Sequence, residues 1–153
     1  MICAMIKLKK WKPDYGPSKL NVKSGVTAIG VREFLIAYNI NLNTKSTRLA
    51  NAIAFDVREK GRIKRKGHPV IGDIVYDNDG NPKTIPGSLK YVKAIGWYIE
   101  EFGVSQISMN LTNITETPIH VVFEDVVKKA EKRGARVTGS ELVGLIPLKS
   151  MLD

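Results

Sequence analysis

Amide and hydroxyl side chains occupy every second position of residues 106–111. The polar members are Gln106, Ser108 and Asn110, and they alternate with three apolar residues. Because successive side chains of a β-strand point to opposite faces, this alternation predicts a strand with one apolar face and one hydrogen-bonding face. Carboxamides and hydroxyls donate and accept hydrogen bonds without carrying charge, which suits recognition of a polar ligand or of a second sheet. A face that only contacts water is an equally good interpretation of this stretch taken alone.

Residues 32–42 repeat the pattern nearer the start of the chain. Aromatic and branched side chains mark one face of this predicted strand, while Asn39 and Asn41 lie on the other. Two predicted strands that both carry carboxamides on one face favour a functional role for that face.

Cysteine and histidine are scarce in this chain. The chain has one cysteine, Cys3, and two histidines, His68 and His120. This set excludes an internal disulfide framework and supports neither a metal site nor a cysteine nucleophile. His120 opens a predicted helix, where a neutral imidazole could act as a base, although a histidine without a catalytic role is the more frequent case.

The net charge of +9 is concentrated in two short segments. Residues 58–66 hold six basic residues and one acidic residue, a net +5, and four lysines within residues 7–12 add +4. Such segments suit a polyanionic partner (nucleic acid, an acidic protein surface or a polycarboxylate ligand) or form a solvated loop. No apolar run approaches the roughly 20 residues of a membrane span. The start of the chain does not resemble a secretory signal, so a cytoplasmic protein is expected.

The predicted elements follow the order β-α-β-β-α-β. The first helix begins after Thr44–Ser46 and ends before Gly61; the second is predicted to begin with Thr117 as the capping hydroxyl and to stop at Gly134. The simplest packing of these elements is a ferredoxin-like α+β sandwich, an antiparallel sheet with both helices on one face. The amide-bearing face would then remain uncovered by this chain.

Composition divides the chain into an arm and a domain. Residues 1–30 are predicted to form an N-terminal arm or linker, and residues 31–153 a single domain. Residues 61–88 interrupt that domain as an insertion, with a hairpin turn predicted at residues 77–80. A strand at residues 89–100 is expected to form a hairpin with the strand at 106–111. Two short strands are predicted on either side of Gly139 and Ser140, at residues 136–138 and 142–146, and a final helical turn at residues 148–152.

Four long segments, in the same order, resemble the glutamate formiminotransferase family. They are residues 31–42, 93–101, 106–112 and 139–149, and residues 13–17 resemble the joint between the two halves of the family's transferase domain. The resemblance covers the C-terminal half of that domain over about residues 11–153. It implies transfer of the formimino group of N-formimino-L-glutamate to tetrahydrofolate, the co-substrate, in histidine degradation.

The resemblance also implies where the substrate would lie. In this family two ferredoxin-like subdomains face each other across a folate-binding tunnel, and the amide-bearing face would form one wall. Gln106 falls where the family has a folate-contacting glutamine; Ser108, Asn110 and Asn39 are added as folate-binding residues because they share its face. The family's catalytic histidine belongs to the N-terminal subdomain, so no catalytic residue is expected in this chain.

Two kinds of function follow as hypotheses. The first is one half of a split glutamate formiminotransferase, which needs a complementary N-terminal subdomain on another chain; a homodimer through the bare sheet face is a further possibility. The second is a non-catalytic ferredoxin-like module that binds folate or nucleic acid. The stretch at residues 106–111 has no aromatic residue on which RNA bases could stack, which argues against RNA. The insertion is longer than usual in the family and inherits no role from it.

Overall fold

The computed structural model describes residues 12–17, 19, 21–68 and 71–152. Cys3 and the basic residues before position 12 therefore lie outside the described residues. The chain divides into two compact units, Met1–Arg32 and Glu33–Asp153. In the first unit Asn21 organises a turn: its side-chain oxygen accepts hydrogen bonds from the backbone of Lys23 and Ser24, and its carbonyl accepts one from Gly25.

The second unit contains eight strands and three helices in its described part. In chain order these are β1 (Ile36–Leu42), α1 (Thr47–Val57), β2 (Arg62–Ile63), β3 (Arg65–Lys66), β4 (Asp73–Ile74), β5 (Thr84–Ile85), β6 (Val92–Ile99), β7 (Val104–Leu111), α2 (Ile119–Glu131), β8 (Val137–Val143) and α3 (Lys149–Leu152). Four of the strands form the main sheet in the order β6-β7-β1-β8, with every neighbouring pair antiparallel. This is the strand order of a ferredoxin-like sandwich, so the predicted fold class is confirmed.

Helices α1 and α2 cover one face of the sheet. Strands β1 and β7 present alternate apolar side chains to these helices, as the period of two requires, and Ile40 and Ile107 are both fully buried. The helices contribute residues such as Ile53 and Val126 to the same core. Burying this apolar surface is the main favourable term in folding, and it leaves the amide-bearing face of the sheet uncovered by α1 and α2.

The two long helices begin differently. The hydroxyl oxygen of Ser46 accepts a hydrogen bond from the backbone N–H of Leu49 at 3.2 Å and caps α1, as predicted. In α2 the capping position is Pro118, which has no side-chain cap, so the predicted capping role of Thr117 is wrong. The buried hydroxyl of Thr117 instead donates to the carbonyl of Lys90 at 2.8 Å. This bond ties the start of α2 to the segment before β6.

Strand β8 is continuous, whereas two short strands were predicted there. Gly139 and Ser140 pair with Asn41 and Ile40 of β1 and lie inside the ladder. Neighbouring glycine and serine suggest a turn in the sequence, but the backbone hydrogen bonds of β1 hold them extended. The strand ends at Val143 because Gly144 adopts a positive φ of 82°.

Helix α1 packs against edge strand β6 at Gly96. Gly96 lies directly against the helix, where an added Cβ would meet the backbone nitrogen of Asn51 at 2.2 Å. The carboxamide of Asn51 donates to the carbonyl of Gly96 at 2.8 Å and accepts from its N–H at 3.0 Å. The Asn51 side chain thus satisfies both outward-facing backbone groups of Gly96, which a further strand could otherwise have paired.

The insertion at residues 61–88 is an ordered extension of the domain in its described part. Strand β2 pairs with β5 and strand β3 with β4. The predicted turn is present: the N–H of Gly80 donates to the carbonyl of Asp77 at 3.2 Å. Asp56 of α1 forms ion pairs with Arg62 of the insertion and with Arg133 after α2. The insertion is therefore fixed to α1, and the same carboxylate links α1 to the residues that follow α2.

Candidate functional site

One face of the main sheet is left uncovered by α1 and α2 and is called the open face from here on. Antiparallel register brings the polar residues of this face into rows across the sheet. Asn41 lies opposite Gln106, which lies opposite Trp97. The neighbouring row contains Glu141, Asn39, Ser108 and Ile95 in that order. Directly opposite residues are close enough for their side chains to interact. Strand pairing thus assembles one surface from positions scattered between residues 39 and 141.

Gln106 is the centre of a hydrogen-bond network on this face. Its amide oxygen accepts from the indole N–H of Trp97 at 2.9 Å. Its amide nitrogen donates to Oδ1 of Asn41 at 2.8 Å and to Oε2 of Glu141 at 3.3 Å. The same carboxylate oxygen of Glu141 accepts from Nδ2 of Asn39 at 3.2 Å. Four strands contribute to this network, so it ties the whole width of the sheet together.

The burial of the four predicted site residues differs strongly. Gln106 is 0% exposed and Asn39 is 7% exposed, Ser108 is half-buried and Asn110 is exposed. All four lie on the open face, as the alternation predicted. Gln106 and Asn39 belong to the network, whereas no hydrogen bond of the Ser108 or Asn110 side chain occurs within the described residues. That these residues bind folate stays a prediction.

Three members of the network were not among the predicted site residues: Asn41, Trp97 and Glu141. Asn41 shares the alternation of Asn39 and could have been chosen with it. Trp97 lies within a segment that gave no clear alternation, and Glu141 lies in the gap between the two short strands predicted at residues 136–138 and 142–146. The contribution of Trp97 and Glu141 depends on the register of β6 and β8, which no local pattern in the sequence specifies.

Apolar side chains border the network at both sheet edges. Ile95 is 55% exposed, Trp97 46% and Val143 46%. An open depression of about 550 Å³ continues from Trp97 along the end of β6 to Glu100 and Glu101. A polar centre with apolar flanks and half-exposed aromatic surface is typical of a face that binds a planar ligand or a second layer of protein.

Neither histidine belongs to the open face. His120 is exposed in the first turn of α2, within the layer that covers the opposite face, and His68 is exposed in the insertion. In the described part of the chain no cluster of histidine, cysteine and acidic residues could hold a metal ion. No helix among the described residues is long and apolar enough to cross a membrane.

Three of the six basic side chains in residues 58–66 make contacts within the protein. The guanidinium of Arg58 lies over the ring of Phe55 and donates to the carbonyl of Gly61 at 2.9 Å; burial lowers its pKa from the ordinary arginine value. Arg62 pairs with Asp56, and Arg65 donates to the carbonyl of Gly72 at 2.7 Å. The arginines thus stabilise the insertion. Three exposed residues remain to face solvent: Lys60, Lys64 and Lys66.

Comparison with known proteins identifies the family of this chain. The family model of the formiminotransferase domain matches residues 37–153, which include the main sheet except for its first residue, Ile36. The chain belongs to the formiminotransferase family. It is 44% identical over 148 residues to the formimidoyltransferase-cyclodeaminase of Dictyostelium discoideum, covering 96% of this chain and 24% of that protein. It is 37% identical over 148 residues to the glutamate formimidoyltransferase of Thermoplasma acidophilum, covering 97% of this chain and 40% of that protein.

The glutamate formimidoyltransferase of Streptococcus pyogenes is 34% identical over 143 residues, again covering 40% of that protein. The chain therefore spans between about a quarter and two-fifths of the length of these relatives. The transferase family is shown by these matches. The roles of individual residues are argued below from the geometry of the open face.

Proposed function

We propose that this chain forms the folate-side half of a glutamate formiminotransferase. In this role its open face is one wall of the site in which the formimino group of N-formimino-L-glutamate passes to tetrahydrofolate. A complementary N-terminal subdomain on another chain forms the opposite wall and supplies the general base. The reaction would serve histidine degradation in the cytoplasm.

The observation that carries this proposal is the open face itself. The family match extends across all four strands of the main sheet, and their uncovered side presents a polar network between exposed apolar residues. Half-exposed apolar side chains such as Ile95, Trp97 and Val143 beside a polar network are typical of a surface that another layer covers. A second protein layer with a ligand between the two layers accounts for both the network and its apolar border.

The chain's own residues also explain why a complementary subdomain is needed. His120 lies in the helical layer and His68 in the insertion, so neither described histidine can reach a substrate on the open face. The relatives named glutamate formimidoyltransferase are more than twice as long as the matched region. The proposal assigns the missing base to the part of the domain that this chain does not match.

The test combines the purified full chain with the N-terminal subdomain of the Thermoplasma acidophilum relative, both as a mixture and as a direct fusion. Formation of formimino-tetrahydrofolate is followed by mass spectrometry. We expect negligible product from the full chain alone and substantial product from at least the fusion, since it fixes the effective concentration of the two halves.

Full activity of the isolated chain would contradict the split arrangement. A folded fusion that neither forms product nor binds tetrahydrofolate would contradict the assignment of this face to folate. The matched control is the same fusion carrying His120→Ala. Because His120 is exposed on the opposite layer, its replacement should leave product formation unchanged.

A non-catalytic binding module is the second candidate. The exposed lysines of the insertion favour it, because they give a positively charged surface apart from the open face. If the chain binds a polyanion such as RNA there, affinity should fall steeply with salt. Salt-independent binding of tetrahydrofolate without RNA binding would favour the transferase role.

A further inference from the structure

We propose that the outer edge of β8 pairs in antiparallel direction with β8 of a second copy of this chain. The two main sheets then form one continuous sheet of eight strands. This inference does not rest on the proposed function, because it uses the edge of the sheet and leaves the open face of both copies free. It also differs from a homodimer through the open face, in which the two sheets would stack face to face.

A row of residues across the main sheet shows which backbone groups of β8 point outwards. Gly96, Ile107, Ile40 and Ser140 lie opposite one another in that order. Both backbone groups of Gly96 bond to Asn51 and therefore point away from β7. Opposite residues of an antiparallel pair either bond each other or both point away, and the two arrangements alternate. Consequently Ile107 bonds Ile40, and the N–H and C=O of Ser140 point away from β1.

The two edges of the main sheet differ in how their outward groups are satisfied. On β6, helix α1 occupies both groups of Gly96, and the backbone N–H of Glu59 donates to the carbonyl of Val92 at 3.0 Å. On β8, no residue in the described part of the chain bonds the outward groups of Ser140 or of Leu142, two positions further on. A row of unpaired backbone donors and acceptors is a template for another strand.

Strand β8 also lacks most features that discourage pairing at an edge. Residues 137–143 contain neither lysine nor proline, and their only charged side chain is Glu141. Its carboxylate is turned back across the sheet, where it accepts from Asn39 and Gln106. The one register shift against β1 lies at the start of β8, so the remainder of the edge is regular. Edge strands that avoid partners usually carry lysine, proline or an inward-pointing charge.

The sequence of β8 favours a second copy as the partner. If a twofold axis passes through Ser140, all of residues 137–143 pair with the same residues of the second copy. Gly139 then lies opposite Glu141 of the second copy. An added Cβ at Gly139 would meet no atom within 4 Å, so there is room for that side chain. An axis through Glu141 would instead place two carboxylates opposite each other, which is unfavourable.

Exposed apolar side chains lie along the same edge. Leu142 is 36% exposed and Val143 is 46% exposed. In the proposed register Val143 lies opposite Val137 of the second copy, and Leu142 lies opposite Thr138. These cross-strand contacts remove apolar surface from water and add to the backbone hydrogen bonds between the copies.

Pairing through β8 also keeps the basic insertions of the two copies apart. The insertion is held to α1 by the ion pair between Asp56 and Arg62, and α1 packs against β6. Strands β6 and β8 form the opposite edges of the main sheet. Joining two β8 edges therefore places the insertions at the far ends of the eight-stranded sheet, where screening by salt limits their repulsion.

The first test measures association of the purified full chain by sedimentation equilibrium at a series of protein concentrations. We expect a reversible dimer. Ser140→Lys places two lysines opposite each other at the axis and should raise the dissociation constant of the dimer about fivefold or more. The matched control is Ile95→Lys, which adds the same charge at an exposed position of the open face on β6 and should leave the dissociation constant unchanged.

The second test uses cysteines and does not depend on the lysine variants. In a Cys3→Ser background, Ser140→Cys supplies the only thiol. Opposite residues that bond each other have Cα atoms about 5.5 Å apart, within the span of a disulfide, so mild oxidation should give a covalent dimer. Leu142→Cys is the matched control: its two copies would be separated by four positions, about 13 Å, and should not cross-link.

Each outcome supports or overturns the inference. A reversible dimer that Ser140→Lys weakens and Ser140→Cys traps supports it. A chain that remains monomeric at every concentration overturns it, as does a dimer that only Ile95→Lys dissociates, since that dimer would use the open face. Equal cross-linking of both cysteine variants, or cross-linking of Leu142→Cys alone, overturns the register. Circular dichroism and the thermal midpoint verify that each variant is folded. The proposed function is unaffected by these results, because product formation and folate binding are measured separately.

Discussion

Different interactions stabilise the side chains on the two faces of the main sheet. On the covered face, fully buried side chains such as Ile40, Ile107 and Ile53 pack against one another. On the open face, the fully buried Gln106 is enclosed by hydrogen bonds to neighbours that are themselves half-buried or exposed. Apolar packing is non-directional and tolerates small shifts, whereas the network requires particular donors and acceptors. The difference indicates that the covered face maintains the fold and the open face serves recognition.

Adding one methyl group to each face tests this difference directly. Gly96→Ala drives a Cβ into the backbone of α1, where the nearest atom lies at 2.2 Å, so the helix and β6 must separate. We expect a loss of about 3 kcal/mol or more in the free energy of unfolding, measured by chemical denaturation. Gly139→Ala is the control on the open face and should change stability by less than about 0.5 kcal/mol. Equal losses in the two variants would contradict the contrast.

Neighbouring residues of β7 allow a second comparison. Ile107 is fully buried under the helices, so Ile107→Ala removes core packing and should cost about 2–4 kcal/mol. Ser108 points to the open face and its side chain makes no hydrogen bond within the described residues, so Ser108→Ala should cost less than about 0.5 kcal/mol. Thermal and chemical unfolding of both variants measures the difference. A large loss at Ser108 would show that a partner or ligand already covers it in the purified protein.

Apart from the two control variants, the smallest expected change in stability comes from the centre of the network. Gln106→Leu keeps the volume but removes one acceptor and two donors, leaving Trp97 and Asn41 to find water at the surface. Because water can replace these partners, we expect a loss of only about 1 kcal/mol, again by denaturation. The affinity for tetrahydrofolate should fall by a larger factor than this stability change implies. If the affinity for tetrahydrofolate is unaltered, the network centred on Gln106 does not contribute to folate binding.

Most of the secondary structure could be predicted because its signals are local. Alternation identified β1 and β7 and the side chains on each face, and Ser46 and Gly134 mark helix ends where they were expected. The predictions failed where a distant contact overrides the local preference. The hydroxyl of Thr117 was predicted to cap α2 but donates to the carbonyl of Lys90, and Gly139 and Ser140 were predicted to separate two strands but are held extended by β1.

The candidate site was predictable only in part for the same reason. The sequence by itself determined that Gln106, Ser108, Asn110 and Asn39 share one face, because side-chain direction along a strand depends only on the period of two. Only the tertiary structure decided that Gln106 is buried and that Asn41, Trp97 and Glu141 join it. Residues 41 and 106 are 65 positions apart and residues 106 and 141 are 35 apart. Their contact depends on strand order and register, which are set by the packing of the entire sheet against its helices.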